Sequence, residues 1–163
     1  TVVLSNLTAG DSVTVTAEAG GDSGIINISC EAPPIAIELI NNSQEHGTGK
    51  DGKKQVYFNI NVLNSSIDLE QMIISWVPNG NEKLSELWIG DTQVYYNSSG
   101  AENGTTITFN QLNNPTYYIL NKDESYEIKM IFDKDVKKKD WTIAFINPET
   151  LTEITPNITF YLN

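Results

Sequence analysis

A chain of 163 residues is long enough for one domain with a proper core, and with 39% apolar and 19% charged residues it does not have the composition of a disordered segment. Lys and Arg number 10 against 21 Asp and Glu, a net charge of −11, and so acidic a surface repels phosphates and excludes nucleic-acid binding. No apolar run approaches the ~18 residues of a membrane span, the single Cys30 permits no internal disulfide, and one Cys plus one His cannot build structural zinc.

From the start, Thr1-Val-Val-Leu-Ser-Asn-Leu7 reads as an apolar strand closed by the turn Ala9-Gly10-Asp11. Val13, Val15 and Ala17 then alternate with Ser12, Thr14 and Thr16, and Ile26, Ile28 and Cys30 with Asn27 and Ser29, which sends Cys30 into the core and Asn27 outward. Pro34–Ile40 is a further strand candidate. Residues 41–54, with three Gly, three Lys and the only His, are expected to form a long exposed loop with His46 solvated.

Val56, Phe58, Ile60 and Val62 alternate with Tyr57, Asn59 and Asn61, and Ile67–Val77 is a longer, less regular strand. A short helical turn is expected over Glu82–Trp88, because Leu84, Leu87 and Trp88 fall at i, i+3 and i+4, and Ser65–Met72 offers another. Strands follow at Leu87–Ile89, Thr92–Tyr96, Thr105–Asn110, Thr116–Leu120, Tyr126–Phe132, Trp141–Phe145 and Asn157–Leu162. Tyr95-Tyr96 and Tyr117-Tyr118 each place one ring inward and one outward. The lysine run of residues 133–140 reads as a charged turn that discourages edge aggregation. Period-two patterns with turns between them predict an all-β, two-sheet antiparallel sandwich of Ig-like or pilin-like form with negligible helix. Residues 1–10 form a separate N-terminal strand and turn, and 11–163 the sandwich.

Chemistry is sparse. His46 has no fixed Ser or carboxylate partner, and Gly47-Thr-Gly-Lys50 lacks the spacing of a phosphate loop, so no enzyme is expected. No cofactor is called for; Ca²⁺ is the one structural ion the carboxylates allow, through Asp133 and Asp135 or the turn residues Asp11, Asp22 and Asp91, against the neighbouring lysines. Asn-x-Ser/Thr occurs at Asn6, Asn27, Asn41, Asn64, Asn97, Asn103 and Asn157, about twice the chance expectation in a chain with 18 Asn, 15 Thr and 12 Ser. In a secreted chain these are glycan acceptors.

The opening TVVLSNLTAGDSVTVT, with the acidic, Asn/Thr-rich, sequon-dense chain behind it, resembles subunits of archaeal surface filaments (threads and bundling pili built by donor-strand complementation) and of bacterial biofilm-matrix fibres. That resemblance implies an extracellular, cell-surface location and identical subunits as partners in a head-to-tail polymer. Met72–Gly100 is similar to the globular head of type IV pilin-like proteins, which carry an N-terminal apolar helix that this sequence does not contain. With no tag-like residues ahead of it, Thr1 reads as a mature N-terminus.

Two functions of different class follow. In the first, the strand of residues 1–7 leaves its own molecule and completes a sheet of the next, with Val3 and Leu7 filling pockets, or Val2 and Leu4 if the other face turns inward. Burying about four such side chains supplies roughly 6–12 kcal/mol before the cost of ordering them. In the second, the strand closes its own sandwich, and the protein is a monomeric carbohydrate-binding or adhesive module using the exposed aromatics and the 41–54 loop.

Overall fold

The computed structural model describes residues 12–19, 22–29, 36–110, 117–146, 154 and 157–163, with backbone alone for 12–19, 22–29 and 36. The chain divides into two compact units, Thr1–Pro34 and Ile35–Asn163. In the first, β1 (Ser12–Ala19) pairs antiparallel with β2 (Asp22–Ser29), from Ser12 opposite Ser29 to Ala19 opposite Asp22. The sequence between them is Gly20-Gly21, a pair suited to a two-residue hairpin loop. Residues 1–10 and Cys30 lie outside the described residues.

The second unit is all-β. It begins with β3 (Ala36–Leu39), β4 (Glu45–His46), a single 3-10 turn at Gly52–Lys54, β5 (Gln55–Leu63), β6 (Ile67–Leu69) and β7 (Gln71–Val77). It continues with β8 (Leu84–Ile89), β9 (Thr92–Ala101), β10 (Thr106–Thr108), β11 (Tyr118–Leu120), β12 (Ser125–Phe132), β13 (Lys139–Ile146) and β14 (Ile158–Leu162). One sheet runs β10-β7-β13-β14; the larger runs β5-β12-β8-β9 with β3 and β4 both on the free side of β5; β6 and β11 pair separately. Every pairing is antiparallel.

The alternation read from the sequence becomes two facing layers. Val56, Phe58, Ile60 and Val62 of β5 are fully buried, as are Ile128 and Met130 of β12 and Ile143 and Phe145 of β13. Aromatic rings join the sheets: Trp76 meets Phe132 edge-on at 5.2 Å, Trp141 meets Phe132 at 5.4 Å, and Phe160 meets Phe58 at 5.2 Å. Each such pair contributes about 0.5–1.5 kcal/mol beyond its buried area. This is a sandwich held by its inner faces.

Several expectations need correction. Glu82–Trp88 forms no helical turn; Leu84–Ile89 is the strand β8. Register shifts against β9 and β12 insert an extra residue there, so Leu84 and Leu87 both face inward three residues apart. A bulge had imitated helical spacing. Ile67–Val77 is two strands, with no helical turn over Ser65–Met72, because the chain leaves the β6–β11 pair at Glu70 and enters the other sheet as β7. The 41–54 segment is no open loop: Glu45 and His46 pair with Tyr57 and Val56, and Gly52 is buried. Tyr95 (inward) and Tyr96 (outward) alternate as expected, whereas Tyr117 and Tyr118 are both half-buried. Gly90 takes φ 55° in the two-residue β8–β9 loop, a conformation glycine adopts without strain.

Candidate functional site

A sheet edge exposes unpaired N–H and C=O groups and invites another strand unless it is shortened, charged or covered. Most edges of this sandwich are guarded. On β9, the Asn110 side chain stands in for a strand: its Oδ1 accepts the Tyr96 N–H at 2.9 Å and its Nδ2 donates to the Tyr96 carbonyl at 2.9 Å. Beyond β10, which has three residues, the Asn103 amide does the same to Trp76, accepting at 2.9 Å and donating at 2.8 Å. On the far side of β5, β3 and β4 have four and two residues and bear the exposed Glu38 and Glu45.

The edge strand β14 is different. It pairs with β13 from Ile143↔Ile158 to Lys139↔Leu162, and among the described residues no strand covers its other side. Ile158-Thr-Phe-Tyr-Leu162 contains no charge and no proline. Phe160 and Leu162 pack against the core and are half-buried. On the outer face Tyr161 is 57% and Val77 63% exposed, on either side of Asp140 in one cross-strand row. A shallow hollow of about 330 Å³ runs there, lined by residues of β13 and β14 including Thr142 and Thr159.

The proposed donor residues Val2, Val3, Leu4 and Leu7 lie outside the described residues, as does Asn6. For Asn27 the backbone alone is described, in β2 opposite Thr14. Asn41, Asn64 and Asn157 are exposed and Asn97 is half-exposed, its Oδ1 accepting the Ser99 N–H at 2.9 Å. Asn103 is the exception. A glycosylated asparagine is a trans secondary amide, which places the sugar carbon on the Oδ1 side of Nδ2, where the Trp76 carbonyl sits. Whatever glycans the native protein carries, peptide mass spectrometry is therefore expected to find Asn103 unmodified in folded material, with any occupancy on sites such as Asn41 and Asn157. A glycan on Asn103 in folded protein contradicts the edge-capping role.

Two further groups depart from expectation. His46 is not a solvated loop residue: it is half-buried, with Nδ1 3.2 Å from the Gln55 carbonyl and Nε2 buried without a described partner. In the lysine run, Lys139 is 5% exposed and its ammonium donates to Glu82 Oε1 at 2.7 Å and to the Pro78 carbonyl. Glu82, 7% exposed, also accepts from the Gly80 N–H at 2.7 Å and the Trp76 indole at 3.2 Å. Burial alone raises its pKa, but Lys139 and these N–H donors outweigh burial and lower it to about 2. The pair fastens the turn that follows β7 to the start of β13. Its signal was available, since Lys139 shares strand parity with Trp141, Ile143 and Phe145. Val136, fully buried, anchors the remainder of that segment.

Among the described residues, no three His, Cys, Asp or Glu converge on a point that would hold a metal ion, and no helix is long and apolar enough to cross a membrane. No protein-family model and no curated protein matches this sequence.

Proposed function

We propose that the protein is a non-catalytic structural subunit of a secreted, glycosylated cell-surface filament serving adhesion or biofilm cohesion. Copies join when the N-terminal strand of one, within residues 1–10, adds to the open edge of β14 in the next. The observation that supports this reading is that, among the described residues, no strand or side-chain cap covers the outer side of β14, whereas most other edges are shortened, charged or capped by Asn103 and Asn110.

Charge selects the occupant. Copies with net charge −11 repel one another, so a stable contact needs a charge-free strand meeting a charge-free edge. Neither Thr1–Leu7 nor Ile158–Leu162 contains a charged side chain. Backbone hydrogen bonds would supply affinity, and a donor side chain seated beside Phe160 and Leu162 would complete their burial. Donor and acceptor are different surfaces of one molecule, so the contact is heterologous and propagates as an open filament.

Deleting residues 1–8 tests this by negative-stain imaging and sedimentation of the purified protein. The full chain is expected to form filaments and the truncated chain to remain monomeric with its sandwich folded. Filaments of normal length from the truncated chain would refute the reading.

A further inference from the structure

On the outer face of the larger sheet, strand register builds a straight row from five strands. Glu45 lies opposite Tyr57, Tyr57 opposite Lys129, Lys129 opposite Trp88, and Trp88 opposite Gln93. Their strand neighbours Val56, Phe58, Ile128, Met130, Leu87 and Ile89 are buried, so the five side chains stand on the opposite face. At a strand spacing of about 4.8 Å the row is roughly 19 Å long, with its two aromatic residues about 10 Å apart.

The row is held in place. The Lys129 ammonium lies over both rings, 5.9 Å from the centre of Tyr57 and 5.1 Å from that of Trp88. Glu86 Oε2 accepts the Trp88 indole N–H and the Gln93 amide, both at 2.8 Å, and the Tyr57 hydroxyl donates to Gln55 at 2.9 Å. Tyr57 and Trp88 therefore lean the same way, each towards the residue two positions earlier on parallel-running strands. Among the described residues Lys129 meets no hydrogen-bond acceptor, so its three N–H donors stay open to a ligand.

We infer that this row binds an uncharged, extended pyranose chain laid across the strands. Successive sugars of such a chain advance by a length comparable to the strand spacing, so they meet ring and cation in turn. Sugar C–H faces stack on Tyr57 and Trp88. Hydroxyls, which both donate and accept, suit a row that offers donors (Lys129, Gln93) beside acceptors (Glu45, Glu86). Charge sets the class: two carboxylates outnumber the one ammonium, on a chain of net charge −11, so a polyanionic glycan is repelled. This site is independent of the β14 edge.

Native affinity electrophoresis of the full chain tests the inference, in gels containing hydroxyethylcellulose, glucomannan or alginate. At least one neutral polysaccharide is expected to retard the protein and alginate is not. Trp88→Ala is expected to weaken retardation at least tenfold, and Lys129→Met, which keeps the aliphatic packing, to weaken it severalfold. Trp76 and Trp141 are both 1% exposed, so a ligand-induced change in tryptophan emission reports on Trp88 and checks the site without any substitution. No retardation and no emission change with either neutral polymer would overturn the proposal, as would retardation by alginate alone or full retention in folded Trp88→Ala.

Discussion

Lys139→Met is expected to destabilise the sandwich by about 3–5 kcal/mol, because it removes one partner of a buried pair and strands the other. Glu82 then keeps a carboxylate that is 7% exposed, supported only by the Trp76 indole and nearby backbone N–H groups. For a chain of this size that loss lowers Tm by roughly 6–20 °C. Thermal unfolding followed by near-ultraviolet circular dichroism gives the number, since Trp76 and Trp141 sit within 5.8 Å of each other beside the pair. A Lys139→Met/Glu82→Gln double variant is expected to lose less than the single one, because the neutral amide still accepts a hydrogen bond and no uncompensated charge remains. Equal losses in the two would mean that the packing of the lysine stem, and not the charge, holds the turn.

The wider fold was legible where one rule acted alone. In β5, β12 and β13 the inward positions are apolar, Lys139 at the start of β13 excepted, and each strand runs for several alternations, so period two sufficed. It failed at β8, where a bulge shifted Leu84 and Leu87 into helical spacing, and in the 41–54 segment, whose two-residue strand β4 gains its pairing from β5 and not from its own sequence. The same parity that identifies Trp141 and Ile143 also points Lys139 inward, but a lysine among lysines reads as surface until its counter-charge, 57 residues earlier, is in view.

The candidate sites were less legible still, because edges and rows are properties of pairing. Asn103 matched a glycan sequon, and nothing local distinguishes it from Asn41; its role rests on a contact with Trp76, 27 residues away. Asn110 bonds Tyr96 across 14 residues. The Tyr57–Lys129–Trp88 row needs the register of three strands at once. What the sequence did expose was the uncharged alternation of residues 157–162, which became β14, whose outer side no described strand covers.

Acid is expected to act on the same buried pair. The Glu82 carboxyl has a pKa of about 2 in the folded protein against an ordinary 4.5, so its contribution is fully present above pH 4.5 and is lost as pH falls from there towards 2. A difference of that size is worth about 3 kcal/mol at neutral pH. Glu82→Gln cannot titrate, and at pH 7 it leaves the Lys139 ammonium buried without a counter-charge. Urea unfolding midpoints of the two proteins are therefore expected to differ widely at pH 7, to approach each other below pH 4.5, and to meet near pH 2, where wild-type Glu82 is itself becoming neutral. Comparing variant with wild type at each pH cancels the titration of the other 20 acidic residues, which both proteins share. A gap as wide at pH 2.5 as at pH 7 would show that Glu82 titrates alike in the folded and unfolded states. Lys139 and the N–H donors would then do no more than offset the cost of burying the carboxylate.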